Sequence, residues 1–79
     1  TLTPNPARET TVLRWDHSGR WRAATYSIAD LMGRVLQSGV VRNEELSLEL
    51  SLRALSAGVY FVSVDFEGQR EVRRLVIVD

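Results

Sequence analysis

Few side chains in this sequence could do chemistry. His17 lies in Asp16-His17-Ser18, which holds the three residue types of a nucleophilic triad. A working triad gathers its members from separate elements that converge in space. Three neighbours in one turn point apart, so this trio is expected to be an exposed turn. Carboxylates occur at Glu44-Glu45, Asp65, Glu67 and Glu71. A pair of them cleaves glycosides only when the two face each other across a cleft, one with a raised pKa. A small two-layer sheet protein lacks the depth for that, and acids at strand ends instead keep edges soluble. Arg14-Trp15 and Gly19-Arg20-Trp21-Arg22 mix Arg with aromatics that can stack on bases or sugar rings. The alternation sends Trp15 inward and leaves Trp21 as the one candidate platform for carbohydrate, although a core or half-buried Trp21 is the favoured expectation. Asp30-Leu31-Met32-Gly33-Arg34 has the wrong glycine spacing for a phosphate loop, and no helix follows it. It reads as a hairpin turn carrying a weak Asp30–Arg34 surface pair. No calcium loop is present. With zero Cys and one His, a disulfide framework, a thiol nucleophile and a zinc finger are excluded. No cofactor is expected.

The elements that must position these residues are strands. Apolar residues recur with a period of two, which marks strands with one buried face. Thr11, Leu13 and Trp15 form one inward set, and Ala24, Tyr26 and Ile28 a second. Leu46, Leu48 and Leu50 form a third, and Tyr60, Val62 and Val64 a fourth. The run from Glu71 to Val78 is nearly all apolar after Arg74, so either Leu75/Ile77 or Val76/Val78 could point inward. Leu46 to Leu55 contains good helix formers, but its period of two predicts strand to about Ser51 and a tight turn through Leu52-Arg53-Ala54-Leu55.

Turn residues separate the runs: Asp16 to Gly19, Asp30 to Gly33, Ser38-Gly39 and Phe66 to Gln69. Glycine supplies the positive φ that such turns need, and Asp16 and Asp30 can each accept from the backbone N–H two residues on. Their spacing of roughly 8–12 residues is the signal of a sandwich or barrel. The expected fold is all-β, an immunoglobulin-like antiparallel sandwich of about seven strands in two sheets. Tyr60 follows Leu55-Ser56-Ala57-Gly58-Val59. A tyrosine there, early in the penultimate strand, fits the corner motif in which the phenol bonds to backbone a few residues upstream.

At 79 residues the chain is one small domain with a thin stability margin. Its apolar fraction of 44% and charged fraction of 25% are those of a globular domain. Ten Arg against ten acids give no net charge, which argues against nucleic-acid binding. No apolar run reaches the roughly 18–20 residues of a membrane-spanning helix. The chain starts at Thr1 without an initiator Met or a leader, so it is expected to be a piece of a longer protein.

Four motifs stand in order: Pro4-Asn5-Pro6, Asp30-Leu31-Met32-Gly33-Arg34, Leu55-Ser56-Ala57-Gly58-Val59-Tyr60, and the closing Arg74-Leu75-Val76-Ile77-Val78. In that order they resemble the type A C-terminal sorting domain of the type IX (Por) secretion system, over essentially the whole chain. Two positions depart from the pattern: Ala29 where an aromatic often precedes the turn Asp, and Arg74 where Lys is usual. The resemblance implies an immunoglobulin-like sandwich at the C-terminus of a protein exported across a bacterial outer membrane. It implies a non-catalytic signal, a passenger in the same chain, an outer-membrane export machinery and a sortase-like peptidase that removes the domain. It implies transport of the passenger through the periplasm to the cell surface or the extracellular space.

Recognition needs something exposed and rigid. Gly33-Arg34 and the terminal strand Leu75, Val76, Ile77 and Val78 are the candidates, the strand because an apolar chain end offers unpaired backbone groups for strand addition. The equal alternative is that this strand merely completes the sandwich. Pro4-Asn5-Pro6 is expected to set the opening turn, since two prolines fix backbone angles and remove donors. Asp30, Gly58 and Tyr60 are structural. Deleting Leu75–Asp79 should abolish export of a fused reporter. Two other readings compete: an accessory carbohydrate-binding or fibronectin-like module, whose glycan binding would be lost on Trp21→Ala, and an inert spacer.

Overall fold

The computed structural model describes residues 1–14, 23–42, 47–66 and 68–79. Among these, seven strands and no helix form: β1 (Leu2–Thr3), β2 (Thr10–Arg14), β3 (Ala23–Ala29), β4 (Val35–Arg42), β5 (Ser47–Ser51), β6 (Gly58–Phe66) and β7 (Gln69–Ile77). They pair into two antiparallel sheets, ordered β1-β2-β5 and β4-β3-β6-β7. The fold is the expected small sandwich. Its fourth strand lies beside the third, not beside the fifth as in the constant-type immunoglobulin arrangement.

The inward sets meet in one core. Leu2, Leu13, Leu50 and Leu52 come from the three-stranded side, and Ala24, Ile28, Val41, Val62, Val64, Phe66, Leu75 and Ile77 from the other. Burying a side chain of this size contributes about 1.5–3 kcal/mol, so a domain this small depends on each. Tyr26, Leu48 and Leu55 pack against the core while partly exposed. Trp15 and Leu46, expected to point inward, lie outside the described residues. The open question of the last strand is settled: Leu75 and Ile77 are buried, Val76 is half-buried and Val78 is exposed.

Two turns form as expected. Residues 52–55 close with Leu55 N–H donating to the Leu52 carbonyl at 2.9 Å. Phe66 pairs with Gln69 and Gly68 takes φ +92°, while Glu67 lies outside the described residues. Ser38-Gly39 is a correction. It makes no turn, because β4 runs through it unbroken and Gly39 sits opposite Tyr26. A Cβ on Gly39 would stand 2.6 Å from the Tyr26 ring, so this glycine is used for space. An aromatic ring lying over a strand glycine restores the packing that the missing side chain forfeits.

Candidate recognition surface

The turn from 30 to 34 is built on one carboxylate. Asp30 Oδ1 accepts from Met32 N–H at 2.9 Å and from Arg34 N–H at 3.0 Å. Its Oδ2 receives the Arg34 guanidinium at 3.2 Å. Gly33 N–H donates to the Asp30 carbonyl and Asp30 N–H to the Arg34 carbonyl, both at 3.0 Å. Gly33 takes φ +84°, which side chains resist. Asp30 is held below the usual carboxylate range chiefly by the Arg34 backbone N–H. Partial desolvation opposes this, and the Met32 N–H and the Arg34 charge reinforce it. The clamp leaves the Arg34 side chain 76% exposed, with Leu31 and Met32 outside the core at the tip.

The corner at Tyr60 also forms. Its hydroxyl donates to the Ser56 carbonyl at 2.6 Å, and the ring is buried. Gly58 opens β6 two residues earlier.

Pro4-Asn5-Pro6 does more than open the chain. The Asn5 amide straddles the outer edge of β7: Nδ2 donates to the Arg74 carbonyl at 2.8 Å, and Oδ1 accepts from Val76 N–H at 3.0 Å. Ala7 continues the contact, donating to the Val76 carbonyl and accepting from Val78 N–H, both at 2.8 Å. Buried Thr11 on β2 donates to the Pro4 carbonyl at 2.8 Å. The segment is thus a strap from the first sheet onto the edge of the second. It corrects the ground given for the terminal strand, because the outward backbone groups of Arg74, Val76 and Val78 already have partners. Sequence reasoning placed Thr11 inward but gave its hydroxyl no partner, and it gave Ala7 no role. Thr11 carried a signal, since a hydroxyl on a core face must find an acceptor; Ala7 carried none.

Most of the residues first weighed for chemistry fall outside what the structure describes. His17, Asp16, Ser18, Trp21, Glu44, Glu45 and Glu67 lie outside the described residues. Asp65 pairs with Arg70 at 2.9 Å. No His, Asp or Glu cluster able to hold a metal forms among the described residues. An open groove of about 800 Å³ runs beside the strap, lined by Pro4, Pro6, Glu9, Arg53, Leu55 and Val78 among others. Glu9 is paired there with Arg53 at 3.6 Å, and Arg8 donates to the Asp79 main-chain oxygen at 2.7 Å.

A clamped turn, a pinned corner and a strapped edge thus stand on a small antiparallel sandwich. The family model described as the secretion system C-terminal sorting domain matches residues 1–78, and the chain belongs to that family. No curated protein matches it. The chain is a non-catalytic C-terminal sorting signal of type IX secretion. Such a signal acts on a passenger in the same chain, through a secretion machinery, for export across the outer membrane to the cell surface or beyond.

Proposed function

We propose that residues 1–79 form a single terminal domain that the outer-membrane export machinery reads in its folded state, after passage through the periplasm. A sortase-like peptidase then removes the domain as the passenger is attached at the cell surface. The passenger fits the proteases, glycoside hydrolases or adhesins that such domains accompany. The observation that supports reading by shape is the Asp30 clamp, which fixes Gly33 and Arg34 outward on a turn that a partner meets already ordered. Pre-ordered contacts bind without the cost of ordering them. Val76 and Val78 supply the accessible side of the terminal strand, while Leu75 and Ile77 act indirectly by holding that strand in place.

The test fuses the chain to a fluorescent reporter behind a leader peptide in a type IX-competent bacterium. Arg34→Glu and Val78→Asp change exposed side chains and spare the core. Each should keep the wild-type urea midpoint within about 0.5 kcal/mol of stability. Surface fluorescence should fall sharply for both. If both folded variants reach the surface at the wild-type level, the recognition surface lies elsewhere.

A further inference from the structure

A sandwich leaves sheet edges, and among the described residues three of the four are guarded. β1 is two residues long, β5 carries exposed Ser47, Glu49 and Ser51, and β7 is strapped by Asn5 and Ala7 and lined with Arg70, Arg73 and Arg74. Short length, charge and covering segments are the usual protections against edge pairing. Among the described residues β4 is long and uncovered, and its one charge, Arg42, stands at its last position. It is eight residues long and, among the described residues, pairs only with β3. From Val35 to Val41 it carries no charge and no proline. Val35, Leu36 and Val40 are 57%, 40% and 66% exposed. The register shifts between Ile28 and Ala29, which pair with Gln37 and Val35, so Leu36 is the extra residue of a bulge. Exposed Val35 and Leu36 therefore lie side by side at one end of the strand, and Val40 stands at the other.

We propose that β4 is the interface for a second copy of this chain, two β4 strands pairing antiparallel about a two-fold axis through Ser38. The sequence Val35-Leu36-Gln37-Ser38-Gly39-Val40-Val41 is close to its own mirror image about Ser38. In this register Ser38 faces Ser38 of the second copy, Gln37 faces Gly39, Leu36 faces Val40 and Val35 faces Val41, while Arg34 faces Arg42, a like-charge pair that limits the affinity. Each end of the pair becomes an apolar cluster, and the two four-stranded sheets join into one of eight. Self-complementarity of one patch is what a two-fold dimer requires. The uncharged run gives a charged foreign peptide nothing to read. The nearest charge preceding it, Arg34, is already held by Asp30. Two such edges bury less than the roughly 1,200 Å² of a stable interface, so the dimer is weak and forms at about 0.1–1 mM.

The sequence has no cysteine, so a single introduced one is a clean probe. Directly opposed residues of an antiparallel pair have Cα atoms about 4.5–5.5 Å apart, within disulfide reach. Sedimentation of the chain at rising concentration should show a monomer–dimer equilibrium that Val40→Lys weakens about tenfold or more. On mild oxidation Ser38→Cys should cross-link far faster than Ser47→Cys on β5 or Val40→Cys, whose opposite residue is Leu36. A chain that stays monomeric at 1 mM, leaving the edge to a different partner, overturns the proposal. So does a dimer unaffected by Val40→Lys, or one that cross-links as readily through position 40 or 47.

Discussion

Replacing Gly39 by Ala tests whether its missing side chain serves space, and the geometry sets the size of the effect. A Cβ at position 39 would stand 2.6 Å from Tyr26 Cε1 and 3.1 Å from both Cζ and the hydroxyl. Resting carbon contacts are about 3.5–4.0 Å, so the ring must retreat by roughly 1 Å. Overpacking of this kind costs about 1–3 kcal/mol. Alanine also narrows the unfolded ensemble, which returns about 0.4–1 kcal/mol because Gly39 has no positive φ to lose. The net destabilisation should be about 0.5–2 kcal/mol. At roughly 4–8 °C per kcal/mol for a domain this small, Tm should fall by about 2–16 °C. In a Tyr26→Val background the obstacle is gone, and Gly39→Ala should become neutral or stabilising by up to about 1 kcal/mol. Urea titrations of the four proteins, followed by circular dichroism, give the coupling energy directly. Additive effects, or a Gly39→Ala protein as stable as wild type, would refute the assignment of this glycine to the space under Tyr26.

Tyr60→Phe should cost about 0.5–1.5 kcal/mol in urea unfolding by removing the bond to the Ser56 carbonyl, whereas Ser56→Ala should cost little because the acceptor is main-chain. Asp30 should titrate by NMR below the unperturbed value of about 3.9. Its folded pKa is depressed, so the stability it contributes is complete above the unfolded pKa and is lost as pH falls through the folded one; Asp30→Asn should flatten that acid limb. Asn5→Ala should leave the fold intact while the Val76 amide loses protection in hydrogen exchange, since Asn5 Oδ1 is its acceptor. Leu75→Ala should cost about 2–5 kcal/mol by opening a cavity in the core.

The two-layer architecture was legible because its cause is local. Alternation at Thr11/Leu13, Ala24/Ile28 and Tyr60/Val62/Val64 names the buried face before any partner is known. The Asp30 turn and the Tyr60 corner were legible for the same reason: donor and acceptor lie within four residues of each other. Gly39 was misread because a glycine's letter does not say whether it supplies a positive φ or an absent Cβ; Tyr26, thirteen positions earlier, decides it. The strap was illegible because Asn5 finds its partners at Arg74 and Val76, 69 and 71 residues away. Nothing near Asn5 distinguishes an amide that caps a distant strand from one that ends a turn.

The strap also changes what a truncation can reveal. Deleting Leu75–Asp79 would remove Leu75 and Ile77 from the core and the Val76 and Val78 partners of Asn5 and Ala7. The loss of two core side chains is comparable with the whole margin of a domain this small, about 4–12 kcal/mol. Such a protein would fail at export for want of a fold, whichever surface the machinery reads. In the proposed reading stability and sorting are linked along the last strand, where the residues that close the sandwich alternate with the more accessible ones. Only substitutions on the outward set, Val76 and Val78, can separate the two roles. Arg34 has the same use in the 30–34 turn, because the Asp30 clamp keeps its two backbone bonds when the guanidinium is gone.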